Sequence, residues 1–243
     1  MNDVSEGIVL SSRDYREKDT LISVLTKEFG RISLVAKGTM SVHSKNAPAC
    51  LPFTSSEFCF DYKETKTVFP LKTARINNSR RHVREDLDLL NFAGLLCELT
   101  EKISDQGVVE DELYRNLECA LNTLYEDKYL SVCLFLSFVF RLIGIEPVVD
   151  ECVLCGSTQV SSISIREGGF VCQHCRPKVH AYACTLEDLI HFRLLNKASF
   201  EHFELLKEKG PFTLNDVTTM IDFLVHHAGI RLHSWNWIRS LMD

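Results

Sequence analysis

Two Cys-x-x-Cys pairs, Cys152/Cys155 and Cys172/Cys175, stand sixteen residues apart in the stretch CVLCGSTQVSSISIREGGFVCQHC. Each pair brings two thiolates to one ion from a single tight turn, and the interval falls in the window of structural four-cysteine zinc sites. Gly156, Gly168 and Gly169 give the intervening ribbon the backbone freedom to close. The pattern predicts one structural Zn2+ and a zinc ribbon over residues 150–178, with a redox or vestigial role for the thiols as the alternative. Four sulfurs leave no open coordination position, which argues against metal-ion catalysis. His174 and His180 are nearby substitute ligands that four cysteines make unnecessary. His202 and Glu204 form a His-x-Glu, but it follows both pairs and no proline precedes either, the reverse of the zinc-deaminase order.

Upstream of the ribbon the pattern is that of strands. GIVLSS, TLISVLT and RISLVAK are short β-rich runs, and KEFG between the last two offers Gly30 for a tight turn. EFCFDY alternates, with Phe58, Phe60 and Tyr62 on one face and Glu57, Cys59 and Asp61 on the other. KTVFPLKTARI runs back, and Pro70 assigns it to an edge or a bulge. Five short strands in about 70 residues fit a small closed barrel of the oligonucleotide-binding type.

From Arg84 the period becomes helical. Leu89, Phe92, Leu96, Leu99 and Ile103 form one apolar stripe. Further helices are predicted over 109–125 and 129–143, the latter stopped by Gly144 and Pro147. Thr185/Asp188 and Thr213/Asp216 have capping-box spacing, and the second of these helices stops near Gly229. The expected fold is therefore α+β and multidomain. An N-terminal barrel over 1–80 leads through a linker at 77–81 to a helical domain over 81–243 with the zinc ribbon inserted.

YLSVCLFLSFVF is too short to cross a bilayer and reads as a buried helix. The opening MNDVSE does not read as a secretory leader, so ten cysteines point to thiols or metal ligands in a reducing cytoplasm rather than to disulfides. The chain has no phosphate-cradling Gly-x4-Gly-Lys-Ser/Thr loop, no His-Glu-x-x-His, no Gly-x-Ser-x-Gly and no Gly-x-Gly-x-x-Gly. That leaves binding rather than catalysis. Residues 1–85 carry 14 Lys/Arg against 10 Asp/Glu, whereas the remainder carries 13 against 23. The candidate phosphate ligands of the basic part are Arg31, Lys37 and Lys45 around the third strand. A second group, Lys63, Lys66, Lys72, Arg75, Arg80, Arg81 and Arg84, runs from the last hairpin into the first helix. Phe58, Phe60 and Tyr62 are better read as barrel core than as a stacking platform.

Several segments together resemble the RecO family of recombination mediators. EGIVLSSRDYREKDTLISVLTKEFGRISLVAKG, Glu6 to Gly38, is similar to the family's opening. FAGLLCELTEKI, FRLIGIEPVVDECVLCG, GGFVCQHC and FLVHHAGIRLHSW follow in the family's order. The resemblance implies a non-enzymatic, nucleoid-associated DNA-repair factor with an N-terminal oligonucleotide-binding fold, a helical domain and a zinc finger. It implies binding and annealing of single-stranded DNA, work with a RecR partner, and loading of RecA onto strands coated by single-strand-binding protein. Gly30, Arg31, Lys37 and Gly38 match the family's hairpin and basic strand end. The next loop, TMSVHSKNAP, departs from the family's Lys/Arg-rich pattern, with only Lys45 and His43 to carry charge. A zinc-containing transcription regulator and a DNA-independent interaction scaffold are the competing classes. The helices after Thr185 are not notably basic, which counts against the regulator.

Overall fold

Period-two alternation makes strands of the first third of the chain. The computed structural model, which describes residues 3–41, 43–179 and 181–241, forms them as β1 (Asp3–Tyr15), β2 (Asp19–Thr26), β3 (Gly30–Ala36), β4 (Ser55–Phe60) and β5 (Val68–Asn78). They close into a barrel in the order β1-β2-β3-β5-β4. All pairings are antiparallel except β3 with β5, which run parallel over Ser33–Val35 and Val68–Pro70. Pro70 sits at the end of that short parallel ladder, and β5 is bulged against β4 between Cys59 and Phe60, the edge-or-bulge placement a strand proline requires.

The inner face holds Val9, Ile22, Val24, Ile32, Leu34, Phe58, Phe60, Phe69 and Leu71. The alternation of EFCFDY is realised: Phe58 and Phe60 are buried, Tyr62 is half-buried and stacks on Phe69 at 5.0 Å, and Glu57, Cys59 and Asp61 face outward. Gly30 closes the β2–β3 turn at φ 62°, and a Cβ there would lie 2.0 Å from the Val108 carbonyl oxygen, so both conformation and packing demand glycine.

Four helices follow: α1 (Arg81–Glu85), α2 (Leu87–Ile103), α3 (Asp111–Thr123) and α4 (Lys128–Ile143). The α2 stripe is buried at Leu89, Phe92, Leu96 and Leu99. The ribbon is a three-stranded sheet, β6 (Val160–Ser164), β7 (Gly169–Cys172) and β8 (Tyr182–Ala183), with β6 in the middle. Helices α5 (Leu186–Lys197), α6 (Phe203–Lys207), α7 (Leu214–Ala228) and α8 (His233–Ser240) complete the chain. Gly144 and Gly229 end α4 and α7 in the left-handed conformation, and both expected capping boxes form. No helix among the described residues is long and apolar enough to cross a membrane.

Packing divides the chain into two compact units, one of Met1–Asn122 with Leu232–Asp243 and one of Thr123–Arg231. In the first, α2 lies against β1, α1 and α8. Glu98 of α2 caps the start of α8, accepting from the His233 and Ser234 backbone N–H at 2.8 Å each and from Ser234 Oγ at 2.6 Å. In the second, α4 is buried from Leu130 to Phe140 and is packed by α5, α6 and α7.

Candidate metal centre and nucleic-acid interface

The ribbon builds its thiol cluster from two tight turns. The backbone N–H groups of Cys155 and Gly156 donate to the Cys152 carbonyl at 3.3 and 2.8 Å, and Cys175 N–H donates to the Cys172 carbonyl at 3.1 Å. The second pair begins at the end of β7, which β6 holds by antiparallel pairing. Gly169 starts β7 where a Cβ would lie 2.2 Å from the Val148 carbonyl oxygen.

The four sulfurs lie within 4.8 Å of one another, and Cys155 Sγ is 3.6 Å from Cys172 Sγ. A tetrahedron with Zn–S bonds of about 2.3 Å puts sulfurs about 3.8 Å apart, whereas a disulfide needs about 2.05 Å. All four are free thiols, three of them buried and Cys155 exposed. Burial alone would raise the Cys152 thiol, but N–H groups of Cys172, Leu154 and Cys155 point at its sulfur and bring it down to about 6. Burial and the neighbouring sulfurs push Cys175 up to about 12, a crowding that a central cation would relieve. The donor set, the spacing and the N–H groups aimed at Cys152 fit a zinc ion. His174 is exposed beside the cluster, and His180 lies outside the described residues.

The sequence-predicted cations are distributed unevenly. Lys37, Lys45 and Lys66 are exposed in loops. Lys72 pairs with Asp61 at 2.5 Å, Arg75 with Glu57 at 3.5 Å, and Arg81 with Glu85 at 2.6 Å. Arg31 is half-buried, its Nε 2.9 Å from Ser104 Oγ and its Nη2 3.0 Å from the Ser104 carbonyl. Arg84 Nη1 donates to the Pro52 carbonyl at 2.9 Å. Burial lowers the Arg84 guanidinium from its ordinary range.

Arg80 corrects the expectation outright. It is 1% exposed, with a left-handed backbone at φ 43°. Its Nη1 donates to the Phe53 carbonyl at 2.8 Å and to Ser55 Oγ at 2.7 Å, and its Nε donates to Asn122 Oδ1 at 2.9 Å. Burial lowers its pKa, opposed by Glu118. Arg80 is an internal strut between the barrel wall and α3, and no phosphate can reach it. A continuous track over Arg75, Arg80 and Arg81 does not exist, because its middle member points into the protein.

Three exposed cations outside any ion pair among the described residues meet at one end of the barrel. Arg16 and Lys18 lie in the β1–β2 turn, and Lys37 directly follows β3. The turns are joined: Met40 N–H donates to the Lys18 carbonyl at 3.3 Å, and Gly38 N–H donates to Asp19 Oδ1 at 2.9 Å. A local charge count hides Arg16 and Lys18, because Asp14, Glu17 and Asp19 cancel them. Hairpin register, which commits Asp19 to Gly38, is the signal that would have found them.

On the outer face of β1-β2-β3 register aligns a transverse row, Ser11–Ser23–Ser33. These small side chains leave a depression of about 380 Å³, bounded by Arg13, Leu21, Arg31 and Glu101 of α2. Ser11 Oγ donates to Glu101 Oε1 at 2.7 Å. The Ser23 hydroxyl is shielded from solvent and has no hydrogen-bond partner.

Comparison with known proteins accords with this architecture. The family model described as Recombination protein O N terminal matches residues 1–80, and that described as Recombination protein O C terminal matches residues 84–235. The chain is 29% identical over 248 residues to a DNA repair protein RecO of Halalkalibacterium halodurans, covering 98% of this chain and 94% of that one. It is 29% identical over 245 residues to the DNA repair protein RecO of Bacillus pumilus, covering 98% and 93%. With that of Enterococcus faecalis it shares 24% over 242 residues, covering 98% and 92%.

Proposed function

Because this chain belongs to the Recombination protein O family of DNA-repair proteins, we propose that it is a non-enzymatic recombination mediator that binds single-stranded DNA and anneals complementary strands. In this reading it works in the cytoplasm with RecR to load RecA onto strands coated by single-strand-binding protein. The functional division runs at residue 80, with nucleic acid held by 1–80, and with 81–243 and its zinc ribbon at 150–178 meeting the protein partners. That boundary is one of role. The packing unit that contains the barrel extends to Asn122.

The observation that carries the reading is the barrel itself, in the order β1-β2-β3-β5-β4, with Arg16, Lys18 and Lys37 exposed and, among the described residues, outside any ion pair at one end of its β1-β2-β3 sheet. Folds of this type take oligonucleotides on the strand 2–3 face and on the β1–β2 and β4–β5 loops. Arg16, Lys18, Lys37 and Lys45 would neutralise phosphates there, with Lys63 and Lys66 of the β4–β5 loop as a second group. Two strands repel through their phosphates, and such a surface lowers that barrier without nucleotide hydrolysis. Zinc would be held by Cys152, Cys155, Cys172 and Cys175, where it supplies folding free energy and no open coordination position.

The test is titration of labelled single-stranded and duplex oligonucleotides at two salt concentrations, followed by annealing of complementary strands without nucleotide. Tight, salt-sensitive binding that prefers single strands supports the reading. Binding to one defined duplex favours a transcription regulator, and no binding favours a scaffold.

A further inference from the structure

The trough on the barrel's outer face carries chemistry that phosphate binding does not use. Its floor is the small side chains of Ser11, Ser23 and Ser33, which leave room for a planar ring. One wall is the Arg31 guanidinium, anchored through Nε and Nη2 on Ser104 and with Nη1 uncommitted. Such an anchored fork loses little rotamer freedom on binding. The other wall is the Glu101 carboxylate, fixed by Ser11 through Oε1 and open at Oε2.

Arg13 also bounds the trough, so charge alone does not exclude a phosphate; a phosphate, however, offers no donor to Glu101, and a ligand that uses both walls presents an acceptor to Arg31 and donors to Glu101. Guanine offers that edge: O6 accepts from the guanidinium, and N1–H and the N2 amine donate side by side to the carboxylate. Adenine and cytosine have a single exocyclic amine with an acceptor beside it, and thymine has one ring N–H between two acceptors. None of the three fills both carboxylate oxygens. A volume of about 380 Å³ lies within the range of roughly 300–1,000 Å³ typical of small-ligand sites.

We propose that the trough formed by Ser11, Ser23, Ser33, Arg31 and Glu101 holds one unpaired guanine base, giving the single-strand site a base preference. The proposal rests on the single-strand binding proposed above. It adds that affinity is not uniform along a strand.

The experiment is fluorescence anisotropy with the full chain and a labelled thymidine oligomer of about twelve nucleotides, a length one such barrel can span. It is repeated with one central residue changed to dG, dA, dC or deoxyinosine. The dG oligomer is expected to bind about tenfold more tightly than the all-thymidine one, the size of one good two-point base interaction. Deoxyinosine, which lacks the N2 amine, loses most of that gain. Glu101→Gln and Arg31→Lys each bring the dG-to-dT ratio towards one, and melting curves verify that both variants are folded. Arg31→Lys serves if Glu101→Gln fails to fold, since it keeps the charge and removes the planar fork. Equal affinity for all five oligomers overturns the base pocket and leaves single-strand binding standing. Failure to bind any of them overturns both. A folded Glu101→Gln variant that keeps the full preference refutes the placement of the base in this trough.

Discussion

Replacing Arg80 with alanine separates a structural arginine from a phosphate ligand. The substitution strips the Phe53 carbonyl and Ser55 Oγ of their donor inside the protein, since both accept from Nη1 at 2.8 and 2.7 Å. Each acceptor orphaned in a buried site costs roughly 1–3 kcal/mol. Asn122, the third acceptor, is exposed and recovers its bond from water. The aliphatic stem leaves a gap, which adds to the loss. Against these stands relief from burying a guanidinium whose Nη2 has no hydrogen bond and lies 3.9 Å from Glu118. The net is a destabilisation of roughly 3–5 kcal/mol, the usual result of breaking a buried charged network from one side. For a unit of this size, that is a fall in Tm of roughly 10–20 °C. Circular dichroism melting measures it, and anisotropy with single-stranded DNA runs beside it. The expected result is a large fall in Tm and, at a temperature where the variant is folded, a salt slope equal to the parent's. A Tm within about 2 °C of the parent, together with a flatter salt slope, would refute the buried-strut reasoning and return Arg80 to the DNA surface.

Other outcomes follow from the same geometry. The paired change Arg75→Glu and Arg81→Glu touches only exposed ion pairs, so stability should fall by no more than about 1–2 kcal/mol for the two together, read by the same melting curves. Lys37→Glu with Lys45→Glu should weaken single strands of every sequence and flatten the log–log salt slope by about 0.7 for each phosphate no longer neutralised. Elemental analysis should find one zinc per chain, and Cys155→Ser or prolonged chelation should release it and lower the melting temperature of the ribbon-bearing unit. Glu98→Gln should loosen α8, seen as faster amide exchange over residues 233–240, at a cost of about 1–2 kcal/mol. Burial alone would raise Glu98, but donation from Ser234 and His233, with Lys102 nearby, holds its pKa below the ordinary value. A depressed folded pKa means the contribution is present above the unfolded value of about 4.3 and is lost as pH falls through the folded one. The Glu98→Gln penalty should therefore shrink on acidification.

The features legible in the sequence are those set by near neighbours. Alternation in EFCFDY places Phe58 and Phe60 inside, two Cys-x-x-Cys pairs meet around one point, and Thr185/Asp188 and Thr213/Asp216 form their boxes. What is not legible depends on distant partners. Nothing local distinguishes Arg80 from Arg81. One is interior and the other exposed because Phe53, Ser55 and Asn122 converge on the first. The neutralisation of Lys72 by Asp61 follows from how the chain folds back at β4 and β5, not from sequence spacing alone. The serine row exists only once three strands are in register. Helix α8 is hidden because its N-terminal partner, Glu98, stands 135 residues earlier in the chain.

The capping of α8 by so distant a residue bears on how the protein is made. A ribosome emits residues 1–122 first, but their packing unit also needs the segment after Leu232. The intervening unit, Thr123–Arg231, is complete in sequence before the earlier one has all its parts. Vectorial synthesis therefore favours an order in which the middle of the chain finishes folding while the barrel-bearing unit still waits, its Glu98 capping nothing and the α8 seat on α2 open. Released chains truncated just before Leu232 should already bind zinc while their barrel-bearing part remains sensitive to protease, and restoring the α8 segment should close it.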